Sequence, residues 1–237
     1  MNTLQNYRAT ASEKGRFLTK TYAWMAFALV LSAAAAWYTS NSIEMISFIW
    51  GGKHIAFYVL AFVEIALVWG LSASIRRISR TLAAFLFILY ALINGVTLAS
   101  VFILFSTTSI AYCFLGAAGM FLLMSIYGMT TKQSLAKAGH YLMMALLGVI
   151  LISVVNLIIT KITGEKLSTL DWIISLATVV IFTGLTAYDS QKILAAAERA
   201  DDGEAYQKLA IIGALELYLD FINIFLALLR LFGKSRD

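Results

Sequence analysis

The sequence predicts an all-α membrane protein with seven transmembrane helices, and three observations carry that reading. Of the 237 residues, 61% are hydrophobic and 13% charged, whereas soluble domains run near half apolar and a quarter charged. Seven apolar stretches are each long enough to cross a bilayer, whose hydrocarbon core of about 30 Å needs roughly 20 helical residues. Lysines and arginines fall in the short gaps between those stretches. That distribution orients a protein in a membrane. It is not the clustered cationic face that nucleic acid requires, despite a pI near 9.3. The lipid bilayer is the expected partner, and nucleic acid is not.

The spans are expected at residues 21–39, 55–75, 82–104, 109–129, 139–159, 170–188 and 209–232. Residues 1–20 carry Arg8, Lys14, Arg16 and Lys20 with no small-residue cleavage site, which reads as a retained cytoplasmic tail. Residues 21–233 form one seven-helix transmembrane domain and 234–237 a short C-terminal tail. Proline is absent, so any kink must come from glycines such as Gly95, Gly116 and Gly119. Twelve basic residues lie on the side of the N-terminus and six on the other, which places the N-terminus in the cytoplasm and the C-terminus outside. The basic tail with Arg230, Lys234 and Arg236 runs against that bias, leaving a re-entrant last helix as the alternative.

Ionisable residues within spans are costly and mark candidate functional positions. Glu64 lies mid-span in "FVEIALVWG". Glu216 and Asp220 are four apart in "ALELYLDFINIF" and share a helix face, which Asn223 continues. A structural polar cluster joining helices is the plainer explanation for these three. Asp189 lies in "TGLTAYDSQKI", followed by strong helix formers up to "DDG" at Asp201 to Gly203, so the sixth helix is expected to continue past the membrane. If the chain turns at Gly203, Asp189 and Asp220 stand about 21 and about 25 Å along the two arms, within one turn of equal height. Two such acids cannot both ionise cheaply and share protons as a unit, which makes a proton sensor. Carboxylate oxygens also suit a hard cation such as calcium, so Asp189 and Asp220 are the metal-binding candidates as well. The acids Glu198, Asp201, Asp202 and Glu204 read as a solvated turn or as a cation-concentrating mouth.

Other chemistries lack their parts. The last span holds no lysine for a retinal Schiff base. His54 and His140 sit near span ends and fall short of a zinc site. Cys113 is a lone packing residue. Tyr188-Asp189 suits an intramembrane aspartyl protease, but that enzyme's second aspartate lies in GxGD, whereas here the context is "LYLD". No enzyme activity and no cofactor are expected.

"FTGLTAYDSQKI" (182–193) followed by "ALELYLDFINIFLALLRLFG" (214–233) resembles the Bax inhibitor-1 family of transmembrane proteins. "ALINGVTLASVF" (91–102) and "FVEIALVWGLSASIRR" (62–77) add weaker matches. The resemblance implies a seven-helix fold whose last helix is central and wrapped by the other six, and a pH-sensitive calcium leak. It maps the paired aspartates onto Asp189 and Asp220, the membrane-interior glutamate onto Glu64, and the arginine that latches the pair onto Arg76 or, one residue on, Arg77. Family members also include cell-death regulators and partners of membrane proteases, so a non-conducting module that binds membrane proteins is the alternative. The compact chain and short tails suggest a bacterial member in the inner membrane.

Overall fold

The computed structural model describes residues 9–51, 55–75, 77–164, 167–199 and 203–236. These form eight helices: α1 Ala11–Ser40, α2 Ile43–Trp50, α3 Ile55–Ser74, α4 Arg80–Leu104, α5 Thr107–Thr130, α6 Ala136–Thr163, α7 Ser168–Ala197 and α8 Glu204–Phe232. All but α2 are long and apolar enough to cross a membrane, and they coincide with the seven expected spans. The chain is an integral membrane protein of the predicted class.

Two differences from the expected boundaries have local causes, and one expected extension is present. Helix α1 begins ten residues before its expected span, because Thr10 and Glu13 make a reciprocal capping box: the Glu13 N–H donates to the Thr10 hydroxyl, and the Thr10 N–H to the Glu13 carboxylate. Residues 11–20, expected in the tail, are therefore its first turns. Helix α2, unforeseen, is eight residues capped by the Ser42 hydroxyl, which accepts from the Met45 N–H. At about 12 Å it is too short to span; it buries Ile49 and leaves Ile43 and Phe48 exposed. Finally, α7 runs to Ala197 and α8 begins at Glu204, as the helix-forming residues around Lys192 predict.

The described chain divides into two compact units. The first comprises the chain up to Leu104 with Ile193–Tyr218. In it α1 packs along α4, and Gly95 allows close approach, since a Cβ there would sit 2.5 Å from the Ser32 carbonyl oxygen. Helix α4 is continuous from Arg80 to Leu104. One end of this unit is stitched by the Ala9 N–H on the Glu198 carbonyl (3.1 Å), the Arg80 N–H on the Glu204 carboxylate (3.1 Å) and the Lys208 ammonium on the Ile78 carbonyl (3.0 Å). Helices α4 and α8 run parallel from there, so Asn94 meets Tyr218 one half-span on.

The second unit comprises Phe105–Lys192 and the chain from Leu219 onward. Its C-terminal end folds back on the α4–α5 connection: the Ser106 N–H donates to the Lys234 carbonyl and the Lys234 N–H to the Ser109 hydroxyl, both at 3.0 Å. Helix α8 is continuous over 29 residues and does not double back. Two thirds of its most apolar stretch is buried (67%), against 6% for α3 and for α6, whose exposed side chains such as Phe62, Trp69, Leu147 and Leu151 suit lipid.

Candidate functional site

The two aspartates belong to the second unit. Asp220 sits on α8, the most buried span, and is itself only 3% exposed. Asp189 sits on α7 with its side chain 13% exposed, and its Oδ1 lies 3.8 Å from the Lys192 ammonium one turn further on. Lys192 is half-exposed, so solvent screens that pair and it contributes little.

Helix α5 is the platform on which both carboxyl-bearing segments rest. Next to Asp189, the Ser190 hydroxyl donates to the Ser125 hydroxyl at 3.1 Å, both residues buried. Next to Asp220, Phe221 meets Phe121 edge-on with ring centres 5.9 Å apart and Phe114 at 5.2 Å. Ser125 and Phe121 are successive turns of one α5 face, so the two aspartates stand at levels about one helical turn apart. Close approach is enforced by glycine: a Cβ on Gly128 would collide with the Ala187 carbonyl, and one on Gly139 with the Tyr188 ring. Gln191 holds the other side, accepting from the Leu135 N–H at 2.8 Å and donating to the Gln133 carbonyl at 2.9 Å. Among the described residues no group of three or more His, Cys, Asp or Glu side chains is disposed to hold a metal ion. A hard cation at the pair would therefore complete its oxygen shell from water, hydroxyls or carbonyls.

The remaining sequence candidates are scattered. Glu216 is half-buried on α8. Asn223 donates its amide to the Leu219 carbonyl of its own helix at 2.8 Å, an attachment within α8. Glu64 belongs to the first unit, where it accepts from Asn94 Nδ2 at 3.0 Å and from the Thr97 hydroxyl at 2.7 Å. Arg77 is exposed just past α3, its N–H on the Ser74 carbonyl. Arg76 lies outside the described residues, as do His54, Asp201 and Asp202. Of the acidic turn, Glu198 pairs with Lys14 at 3.6 Å and Glu204 accepts from the Arg80 N–H, so these two tie helix ends together.

Several polar residues escaped the sequence reading. Asn94 passes its bond onward: its Oδ1 accepts from the Tyr218 hydroxyl at 2.7 Å, which is 2.6 Å from the Ser32 hydroxyl. In the second unit Asn156 donates to the Asp171 carboxylate at 2.7 Å, and Arg230 lies within electrostatic reach of Asp171. Pairs of polar residues spaced three or four apart in apolar runs, such as Asn94 and Thr97, were the available signal.

The sequence profile of the family described as "Inhibitor of apoptosis-promoting Bax1" matches residues 14–237. An inner membrane protein of Escherichia coli (strain K12), YbhL, is 41% identical over 222 residues, covering 93% of this chain and 92% of that protein. An uncharacterized protein of Borreliella burgdorferi is 40% identical over 225 residues, covering 94% of each chain. One from Deinococcus radiodurans is 36% identical over 228 residues, covering 96% of this chain and 94% of its own.

Proposed function

The chain belongs to the Bax inhibitor family of integral membrane proteins, and from that footing we propose that it is a passive, pH-sensitive calcium leak gated by protonation of Asp189 and Asp220. The observation that carries the reading is Asp220: a carboxyl 3% exposed in the most buried span, level to about one turn with a second carboxyl on the neighbouring arm. A buried acid in an apolar span suits a proton or a hard cation, and these compete for the same oxygens.

With both acids ionised, the site holds two like charges, and a guanidinium from the end of α3, Arg76 or Arg77, offsets one of them. That arrangement is the closed state. Binding one proton removes half of the charge that attracts the arginine, the latch loosens, and calcium passes on acidification. Glu64, Glu216 and Asn223 are supporting polar residues of the helices in this reading. The reading needs no enzyme chemistry and no cofactor, and the partners it needs are the lipid bilayer and calcium. It places the protein in a bacterial inner membrane, in keeping with the name of the E. coli relative, and the charge bias of the loops puts the N-terminus in the cytoplasm.

Calcium influx into dye-loaded vesicles containing the purified protein tests this directly. Transport that rises on acidification supports it. Protein that moves no calcium anywhere from about pH 8 to about pH 5, while correctly folded, would show a non-conducting module that engages other membrane proteins.

A further inference from the structure

Glu64 sits in the first unit with hydrogen-bond partners that decide its chemical form. Thr97 Oγ1 is 2.7 Å from Glu64 Oε1 and 2.9 Å from the Asn94 backbone carbonyl, two acceptors for one hydroxyl hydrogen. A carboxylate can use that hydrogen only by taking it from Asn94. A neutral acid satisfies everything: its own O–H donates to Thr97, Thr97 donates to the Asn94 carbonyl, and Oε2 accepts from Asn94 Nδ2. Both partners are uncharged. Among the described residues, the titratable groups seen within electrostatic reach, Tyr90 of α4 and Tyr218 of α8, are phenols, uncharged at neutral pH. A carboxylate in an apolar span with only neutral neighbours is expensive, whereas the protonated acid is a good donor between helices.

Helix α3 depends on this contact more than its neighbours do. It contributes one residue, Leu71, to the core, and it packs on α4. The Glu64 bonds are buried-side polar ties from α3 into the chain of Asn94, Tyr218 and Ser32 that joins α4, α8 and α1.

We propose that Glu64 is a second proton-binding site, held as the neutral acid by Thr97 and Asn94, and that its proton fastens α3 to α4. Losing it leaves a lone charge that draws water between the two helices and loosens α3. The site is separate from the aspartate pair and stands whether or not the chain conducts calcium.

Infrared spectroscopy of the full chain in lipid nanodiscs at neutral pH tests it. A carboxylic-acid C=O band is expected, which shifts when the protein is made with glutamate carrying heavy carbon at its carboxyl. The band should vanish in Glu64→Gln, persist in the double variant Asp189→Asn, Asp220→Asn, and move to higher frequency in Thr97→Val. Hydrogen exchange of α3 amides, corrected for intrinsic rates, should rise several-fold from neutral to alkaline pH in the native protein and stay flat in Glu64→Gln. The labelled native protein needs no variant to fold. An acid region indifferent to the label, a labelled band that survives Glu64→Gln, or α3 exchange indifferent to pH overturns the proposal.

Discussion

The hydroxyl of Ser190 donates to that of Ser125 across 3.1 Å, both side chains buried, one residue from Asp189 and one turn from the ring that meets Phe221. This bond fixes the height of Asp189 on α5, and with it the height of Asp189 relative to Asp220. The gating proposed for two carboxyls on two helices needs such a third surface, because a slip of one residue would turn a carboxyl by about 100° around its helix.

Loss of the hydroxyl should cost little and loss of the close approach should cost more. Ser125→Ala removes one interhelical bond, an expected loss of about 0.5–1 kcal/mol. Gly128→Ala places a methyl against the Ala187 carbonyl and should cost about 1–3 kcal/mol. Unfolding by denaturant in mixed micelles orders the two. Equal losses would mean that α5 and α7 have room to separate.

Asp189→Asn replaces one acid with a permanently uncharged group of nearly the same shape, and so imitates a bound proton. Calcium influx should then be raised at alkaline pH and vary several-fold less between alkaline and acid pH than in the native protein. Lys192→Ala should leave that dependence unchanged, because the half-exposed ammonium is screened. A midpoint moved by Lys192→Ala would make that lysine the counter-charge in place of an arginine.

The arginine latch predicts that the double variant Arg76→Ala, Arg77→Ala leaks calcium at about pH 8, where both acids are ionised and the native protein is shut. The vesicle assay reads it. A double variant that remains shut and opens with an unaltered midpoint removes the arginines from the mechanism. Arg77 is exposed, so Arg77→Ala by itself should have a smaller effect than the double variant.

Topology follows from the bonds that join Ser106, Ser109 and Lys234. A reporter fused after Asp237 and a cysteine placed at Phe105 should report the same side of the membrane, and that side should be external. Labelling with an impermeant thiol reagent checks the pair, and opposite sides would contradict the docking of the C-terminal end.

The spans were legible because a run of some twenty apolar residues has one economical use in a membrane. The Thr10 to Glu13 capping box was also visible in the sequence, although apolar length alone set the first span at Thr21 and missed it. Helix α2 was not, since eight amphipathic residues between two long apolar runs give no length signal. Asp189 and Asp220 were legible as charges out of place, and the arithmetic of the hairpin put them near one height. The α5 surface beneath them was not: Ser125 and Gly128 look like ordinary small residues of a span until packing shows what they touch. Glu64 stood out for the same reason as the aspartates. Its partners Asn94, Thr97 and Tyr218 depend on the register of α3, α4 and α8, which no single span encodes.

The most direct measurement is calcium influx into vesicles carrying the native protein or Asp220→Asn, stepped from about pH 8 to about pH 6, with folding of both checked by thermal unfolding. The account predicts a native influx that rises at the acid step, and an Asp220→Asn protein that folds but has lost that rise. A folded Asp220→Asn variant whose influx follows pH as the native protein's does would contradict it.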